Sequence, residues 1–201
     1  MPSTSNGGNF YATFSFLYST IVVTYIVTAV YPQMAQYGAK KDFKGLKKQL
    51  GDEVLTMAIL VIPASVGLFL FAEPIVGLIF LGGEFSQKDV SVTTTVLSFY
   101  SLGIVGMGFR EIISRVFYTI MDAKIPVVNS IIMVGVNILL SIVLVRIMGI
   151  EGLALATTVS FIVGAGLTIV KARRKIGSLF NSSIYVELVK IIAASVVMGV
   201  L

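Results

Sequence analysis

The feature that most limits what this chain can fold into is where its charge sits: apolar runs of about twenty residues follow one another, with Lys and Arg held mostly at the joints between them. A soluble domain spreads charge over its surface and carries about 25% charged residues. This chain of 201 residues carries 12%, with 56% hydrophobic, and its mean hydropathy is +0.96. Runs of that length cross a hydrocarbon core of about 30 Å as helices rising about 1.5 Å per residue. The sequence therefore reads as an all-α integral membrane protein, a polytopic helical bundle.

Five complete spans are expected, over about 10–35, 54–81, 90–120, 126–148 and 153–170, with the start of a sixth over 184–201. Basic residues counted joint by joint give five from Lys40 to Lys48, one at Lys88, three at Arg110, Arg115 and Lys124, one at Arg146, and four from Lys171 to Lys175. This alternation is what single crossings produce when the positive joints stay in the cytoplasm. It also accounts for the net charge of +5 and the pI near 9.5 as topology rather than nucleic-acid binding. The opening MPSTSNGGNF has no basic n-region and does not read as a secretory signal. The final apolar run stops without flanking charge, so a part of a longer membrane protein is expected.

Between the spans, Tyr37 to Glu53 reads as a short amphipathic helix lying on the membrane surface, with Asp42 as N-cap and Phe43, Leu46 and Leu50 on its apolar face. Pro63 predicts a kink in the second span, and Glu73-Pro74 a break after it. Ser86 or Asp89 can cap the third span, Pro126 suits the first position of the fourth helix, and Gly149 to Gly152 reads as a short outer turn.

With no Cys and no His, thiol chemistry, disulfides and the usual zinc and haem ligands are excluded. No GxxxxGK[ST] loop is present, and of the ten carboxylates only Glu111 lies at any depth within an expected span, with Glu73 and Glu187 near boundaries. Transport or lipid handling without a cofactor or metal is expected, rather than catalysis.

The residues that stand out are polar groups inside apolar surroundings. Arg110, Glu111 and Arg115 lie at the end of the third span, where ionisable groups are costly and need a reason to be present. Glu111 and Arg115 can pair at i, i+4, while Arg110 projects about 100° from Glu111. The arginines either snorkel to headgroups or form an ion pair or gate at the cytoplasmic end of a transport path. Gly103, Gly106 and Gly108 allow either close packing or bending of that span. Asn129 and Asn137 are expected to bond to other helices, and Gly152, Ala156, Ser160 and Gly164, spaced every four residues, predict a tight helix pair. In the first span Tyr11, Thr13, Ser15 and Tyr18 supply either interhelical hydrogen bonds and an interfacial belt or the wall of a polar cavity.

The pattern RExxSRxFYxxxDxKxP from Arg110 to Pro126 resembles the MurJ (MviN) lipid II flippases, and so do PASVGLFLFAEPIVGLIF from Pro63, GGEFS from Gly82 and GIEGLALATTVS from Gly149, in the same order. The resemblance implies one lobe, the C-terminal one, of a two-lobed exporter-type fold of the multidrug/oligosaccharidyl-lipid/polysaccharide superfamily. It further implies lipid II as the partner, with membrane lipids and an N-terminal lobe around it. The setting would be the bacterial cytoplasmic membrane, with alternating access driven by membrane potential or an ion gradient. Family members carry an arginine near the start of the first of these spans; here FYATFS has Ala12, Thr13 and Phe14, so that contact does not carry over. Other superfamily exporters of lipid-linked sugars or drugs, or a non-transporting membrane module, are the alternatives.

Overall fold

A computed structural model of the chain describes residues 34–80 and 86–200. The expected first span therefore lies, but for its last two residues, outside the described residues, together with Tyr11, Thr13, Ser15 and Tyr18. After a helical stretch at 34–39, six helices follow: α1 (Phe43–Leu70), α2 (Ala72–Phe80), α3 (Gln87–Thr119), α4 (Lys124–Met148), α5 (Ile150–Ile176) and α6 (Ser182–Val200). Five of them, all but α2, are long and apolar enough to cross a membrane.

The lysine-rich segment is not a separate surface helix. It forms the first turns of α1, one helix of 28 residues that runs on through Pro63. The reason is a continuous buried stripe, Leu46, Leu50, Glu53, Val54, Met57 and Val61, which recurs at helical spacing across the expected boundary. A helix of that length measures about 42 Å, so its basic end projects beyond a core of about 30 Å. Asp42 accepts the Gly45 N–H at 3.0 Å as N-cap, but Phe43, expected on the buried face, is 46% exposed.

Other boundaries shift by a few residues. The break after α1 falls at Phe71, leaving Pro74 in the first turn of α2, where its missing N–H costs nothing. Ser86 and Asp89 cap α3 together: the Ser86 amide donates to Asp89 Oδ2 at 2.9 Å, and the Asp89 amide donates to Ser86 Oγ at 3.4 Å. Helix α4 starts at Lys124, two residues before Pro126. Only Gly149, at φ +65°, separates α4 from α5, a backbone angle that glycine adopts without a Cβ penalty. Helix α5 continues to Ile176, so KARRK is its last turns rather than the joint after it, with the cations beside the helix's negative end. Helix α6 begins at Ser182 and, at 19 residues, is already of spanning length.

Helix α5 packs along both α3 and α4, and α3 also packs on α1 and α2, while α6 joins through α1. The apolar core gathers at the charged end of the bundle, where Phe117, Ile112 and Ile113 of α3 meet Leu50, Val54 and Met57 of α1. Helix α4 is apolar all round, and Ile131 and Leu139 on it are 66% and 67% exposed, as suits a lipid-facing helix.

Candidate functional site

Of the polar groups singled out in the sequence, Arg110, Asn129, Asn137 and Ser160 lie on the faces that α3, α4 and α5 turn to one another. Near the C-terminal end of α3, Glu111 sits between two cations: Arg115 Nη2 is 3.4 Å from Glu111 Oε1, and Arg110 Nη2 is 3.5 Å from Glu111 Oε2. The i, i+4 pair was readable, but Arg110 does not project away from Glu111. Its long side chain bends back across the 100° separation, and it also donates to Ser130 Oγ on α4 at 3.4 Å.

Two properties of this cluster matter chemically. Its side chains are only partly exposed, at 18% for Arg110, 31% for Glu111 and 22% for Arg115. Its contacts are long, since charge-assisted N–H···O bonds typically span about 2.7–2.9 Å. The surface pair Lys175 to Asp122, at 2.7 Å, shows the tight form by contrast. Two arginines share one glutamate, and Arg110 Nε is buried without a hydrogen-bond partner.

Arg110 reaches this position through a notch in α5. A Cβ on Gly164 would lie 3.3 Å from Arg110 Cδ and 2.9 Å from Met133 Sδ. One turn along, Thr168 donates to the Gly164 carbonyl at 2.7 Å and accepts from Asn129 Nδ2 at 3.3 Å. Asn129 Oδ1 is buried and unpartnered. Farther along the same interface, Asn137 Nδ2 donates to Thr157 Oγ1 at 3.1 Å and Ser160 Oγ at 3.3 Å.

The small-residue stripe on α5 thus faces α4: Gly152 backs onto the Leu144 carbonyl, Ser160 meets Asn137, and Gly164 meets Met133, with Ala156 buried between them. The opposite flank of α5 meets α3. A Cβ on Gly106 would lie 3.2 Å from backbone atoms of Phe161 and Ile162, one on Gly103 would lie 2.8 Å from Thr158 Oγ1, and Thr158 donates to the Phe99 carbonyl at 2.6 Å. Gly108 faces α1 instead, against the flexible Met57 side chain. Across all three glycines α3 is a single helix.

One polar residue was missed. Glu53 is 4% exposed and is the one charged residue in the buried class among the described residues; its Oε1 has no hydrogen-bond partner. It lies on α1 facing the bundle, where Arg115 acts on its charge. Its place three residues after Leu50, on the stripe that includes Leu46, was the available signal.

No group of three or more metal-ligating side chains occurs among the described residues. What the arrangement can do is hold three helices together through hydrogen bonds along their length, Arg110 to Ser130 at one end, Asn129 to Thr168 and Asn137 to Thr157 and Ser160 farther along, beside an ionic cluster internal to α3.

A family model described as lipid II flippase MurJ matches residues 10–201. A probable lipid II flippase MurJ of Thermotoga maritima is 33% identical over 152 residues, which cover 76% of this chain and 30% of that protein. Another, of Bdellovibrio bacteriovorus, is 28% identical over 149 residues, covering 74% and 28%. A solved structure of lipid II flippase MurJ in an inward closed conformation superposes with a TM-score of 0.76 at 26% identity, covering 96% of this chain and 38% of that one. The chain therefore spans less than two fifths of the length of the proteins it matches.

Proposed function

The chain belongs to the lipid II flippase MurJ family, and from that premise we propose that it forms the C-terminal lobe of a protein that turns lipid II from the inner to the outer leaflet of the bacterial cytoplasmic membrane. The reading is supported above all by the near-complete superposition of its helices on one part of an inward closed flippase. The other lobe would pack against this one, and the two would rock about a cavity at the membrane midplane, in the manner of transporters built from paired repeats. Lipid II, an undecaprenyl-pyrophosphate carrying a disaccharide-pentapeptide, would cross between them, driven by membrane potential or an ion gradient.

Within such a cycle α3 and α5 move as one body. Gly103 and Gly106 are occupied by α5 backbone and Thr158, so α3 cannot bend there without breaking a close contact. Gly108, which meets only the Met57 side chain, is the point at which α3 can yield. The Arg110–Glu111–Arg115 cluster lies below it, toward the basic end of the bundle, and acts as a gate: its side chains, paired loosely within α3 at 3.4 and 3.5 Å, exchange these partners for others between two arrangements of the lobes.

The test is Glu111→Gln within a complete flippase carrying this segment. The variant is expected to fail to support growth of a flippase-depleted strain while its membrane level stays normal. Unimpaired growth removes the gate role. A lipid II translocation assay in liposomes, on the segment with and without an N-terminal lobe, tests the transport assignment itself; flipping is expected only with both.

A further inference from the structure

The basic end of the bundle is more than a set of topology signals, because three segments distant in sequence are built into one surface there. Lys175 Nζ holds Asp122 Oδ2 at 2.7 Å, which ties the end of α5 to the turn between α3 and α4. Gly38 backs onto Thr119 at the end of α3, which brings the stretch before α1 to the same turn. Lys47 Nζ lies 3.5 Å from where a Cβ on Gly177 would sit, so the start of α1 crosses the end of α5.

The charges on this surface divide into two kinds. Lys47 is half-buried beside the C-terminal cap of α5, where a cation complements the unpaired carbonyls, and Lys175 is paired. Lys44, Lys48, Arg173 and Arg174 are exposed, and no carboxylate among the described residues lies in ion-pair range of them. Asp42, two residues before Lys44, is engaged as the N-cap of α1, and Asp52, four residues after Lys48, forms no ion pair with it. Four solvated cations, contributed by two helices, therefore stand without an ion-paired carboxylate among the described residues.

Beside them the surface exposes apolar side chains. Met121, in the left-handed backbone region at φ 58°, is 92% exposed at the tip of the α3–α4 turn, held there by the Met121 amide on the Tyr118 carbonyl and the Asp122 amide on the Phe117 carbonyl. Phe43, one residue from Lys44, is 46% exposed. The two bonds of the Met121 and Asp122 amides are the left-handed cap that ends α3, so the backbone angle is set within the chain, and the cap holds an apolar side chain outward in solvent reach. Exposed apolar groups rimmed by unpaired cations match the headgroup level of a membrane, where the first enter the acyl boundary and the second meet phosphate.

We propose that this surface, made of Lys44 and Lys48 on α1, Arg173 and Arg174 on α5, and the apolar tips Phe43 and Met121, binds anionic phospholipid headgroups of the leaflet it faces. A lipid surface fits better than a soluble acidic partner because Lys48 is only six residues before Val54, where the apolar run begins, a rise of about 9 Å. The inference does not depend on the transport reading.

The experiment purifies the full chain in detergent, adds equal amounts of phosphatidylglycerol and phosphatidylcholine, and counts retained lipid by native mass spectrometry. Phosphatidylglycerol is expected to be retained about fivefold over phosphatidylcholine at low salt, with the preference falling as salt rises. Lys44→Glu/Lys48→Glu/Arg173→Glu/Arg174→Glu is expected to bring the two lipids to equal retention, and the corresponding four-fold Gln variant to lie between. The Gln variant carries the test if the Glu variant does not insert, since neutral side chains leave the apolar packing in place. Equal retention of both lipids by the native chain, a preference that survives both variants, or binding of soluble polyglutamate with no preference between the lipids would each overturn the proposal.

Discussion

Asn137 and Asn129 show how unequal two similar residues become once their neighbours are known. Asn137 donates to two hydroxyls, each of which also donates to a carbonyl of its own helix, Thr157 to Leu153 at 2.9 Å and Ser160 to Thr157 at 2.8 Å. Asn137→Leu removes two interhelical bonds without orphaning either hydroxyl, so a cost of about 1 kcal/mol is expected, within the range for polar contacts between membrane helices. Asn129 makes one bond, to Thr168, and leaves its own oxygen buried without a partner. Because the substitution also removes that unsatisfied acceptor, Asn129→Leu is expected to cost less than about 0.5 kcal/mol. Reversible unfolding in mixed micelles distinguishes the two; a larger loss for Asn129→Leu would contradict the argument. Both amides could be picked out in the sequence, since amides inside an apolar run need partners, but which hydroxyls would meet them could not. Arg110 carries the same lesson. Helical angles separate it from Glu111, yet a flexible side chain of its length spans that angle.

At the level of helices, glycines that look alike in sequence separate by what faces them. Gly106 meets backbone of α5, whereas Gly135, within α4, has nothing within 4 Å of where a Cβ would lie. Gly106→Ala is expected to destabilise the bundle by roughly 1–3 kcal/mol, because backbone cannot step aside as a side-chain end can. Gly135→Ala is expected to be neutral or to stabilise by about 0.5–1 kcal/mol, through the lower entropy of the unfolded chain. The pair of variants, compared by thermal unfolding in one detergent, isolates the α3–α5 contact; equal effects would remove it. The stripe Gly152, Ala156, Ser160 and Gly164 was legible as a packing face, yet not that it serves α4 while the other flank of α5 serves α3. The lysine-rich segment failed as a separate element for a related reason. Helix continuity was decided by the buried stripe running from Leu46 through Glu53 to Val61, which outweighed the change in composition at Val54.

For the molecule as a whole, the absence of cysteine makes topology directly testable. Single cysteines at Lys44 and Arg173 are expected to react with an impermeant maleimide only from the cytoplasmic side, and those at Lys88 and Arg146 only from outside; labelling of all four from one side would refute the alternating crossings. That the chain folds into long apolar helices able to cross a membrane was legible from the sequence because the cost of moving a side chain into hydrocarbon is summed along the chain, whatever the neighbours. The resemblance around Arg110 to Pro126 likewise pointed to the family to which the chain belongs. The rotation of each helix about its axis was left to the tertiary structure. Lipid is as apolar as the inside of a bundle, so hydrophobic periodicity does not mark the inward face of a helix such as α4. Only contact with a neighbour decided that Glu53 is buried, that Gly164 seats Arg110, and that three separated basic segments form one surface.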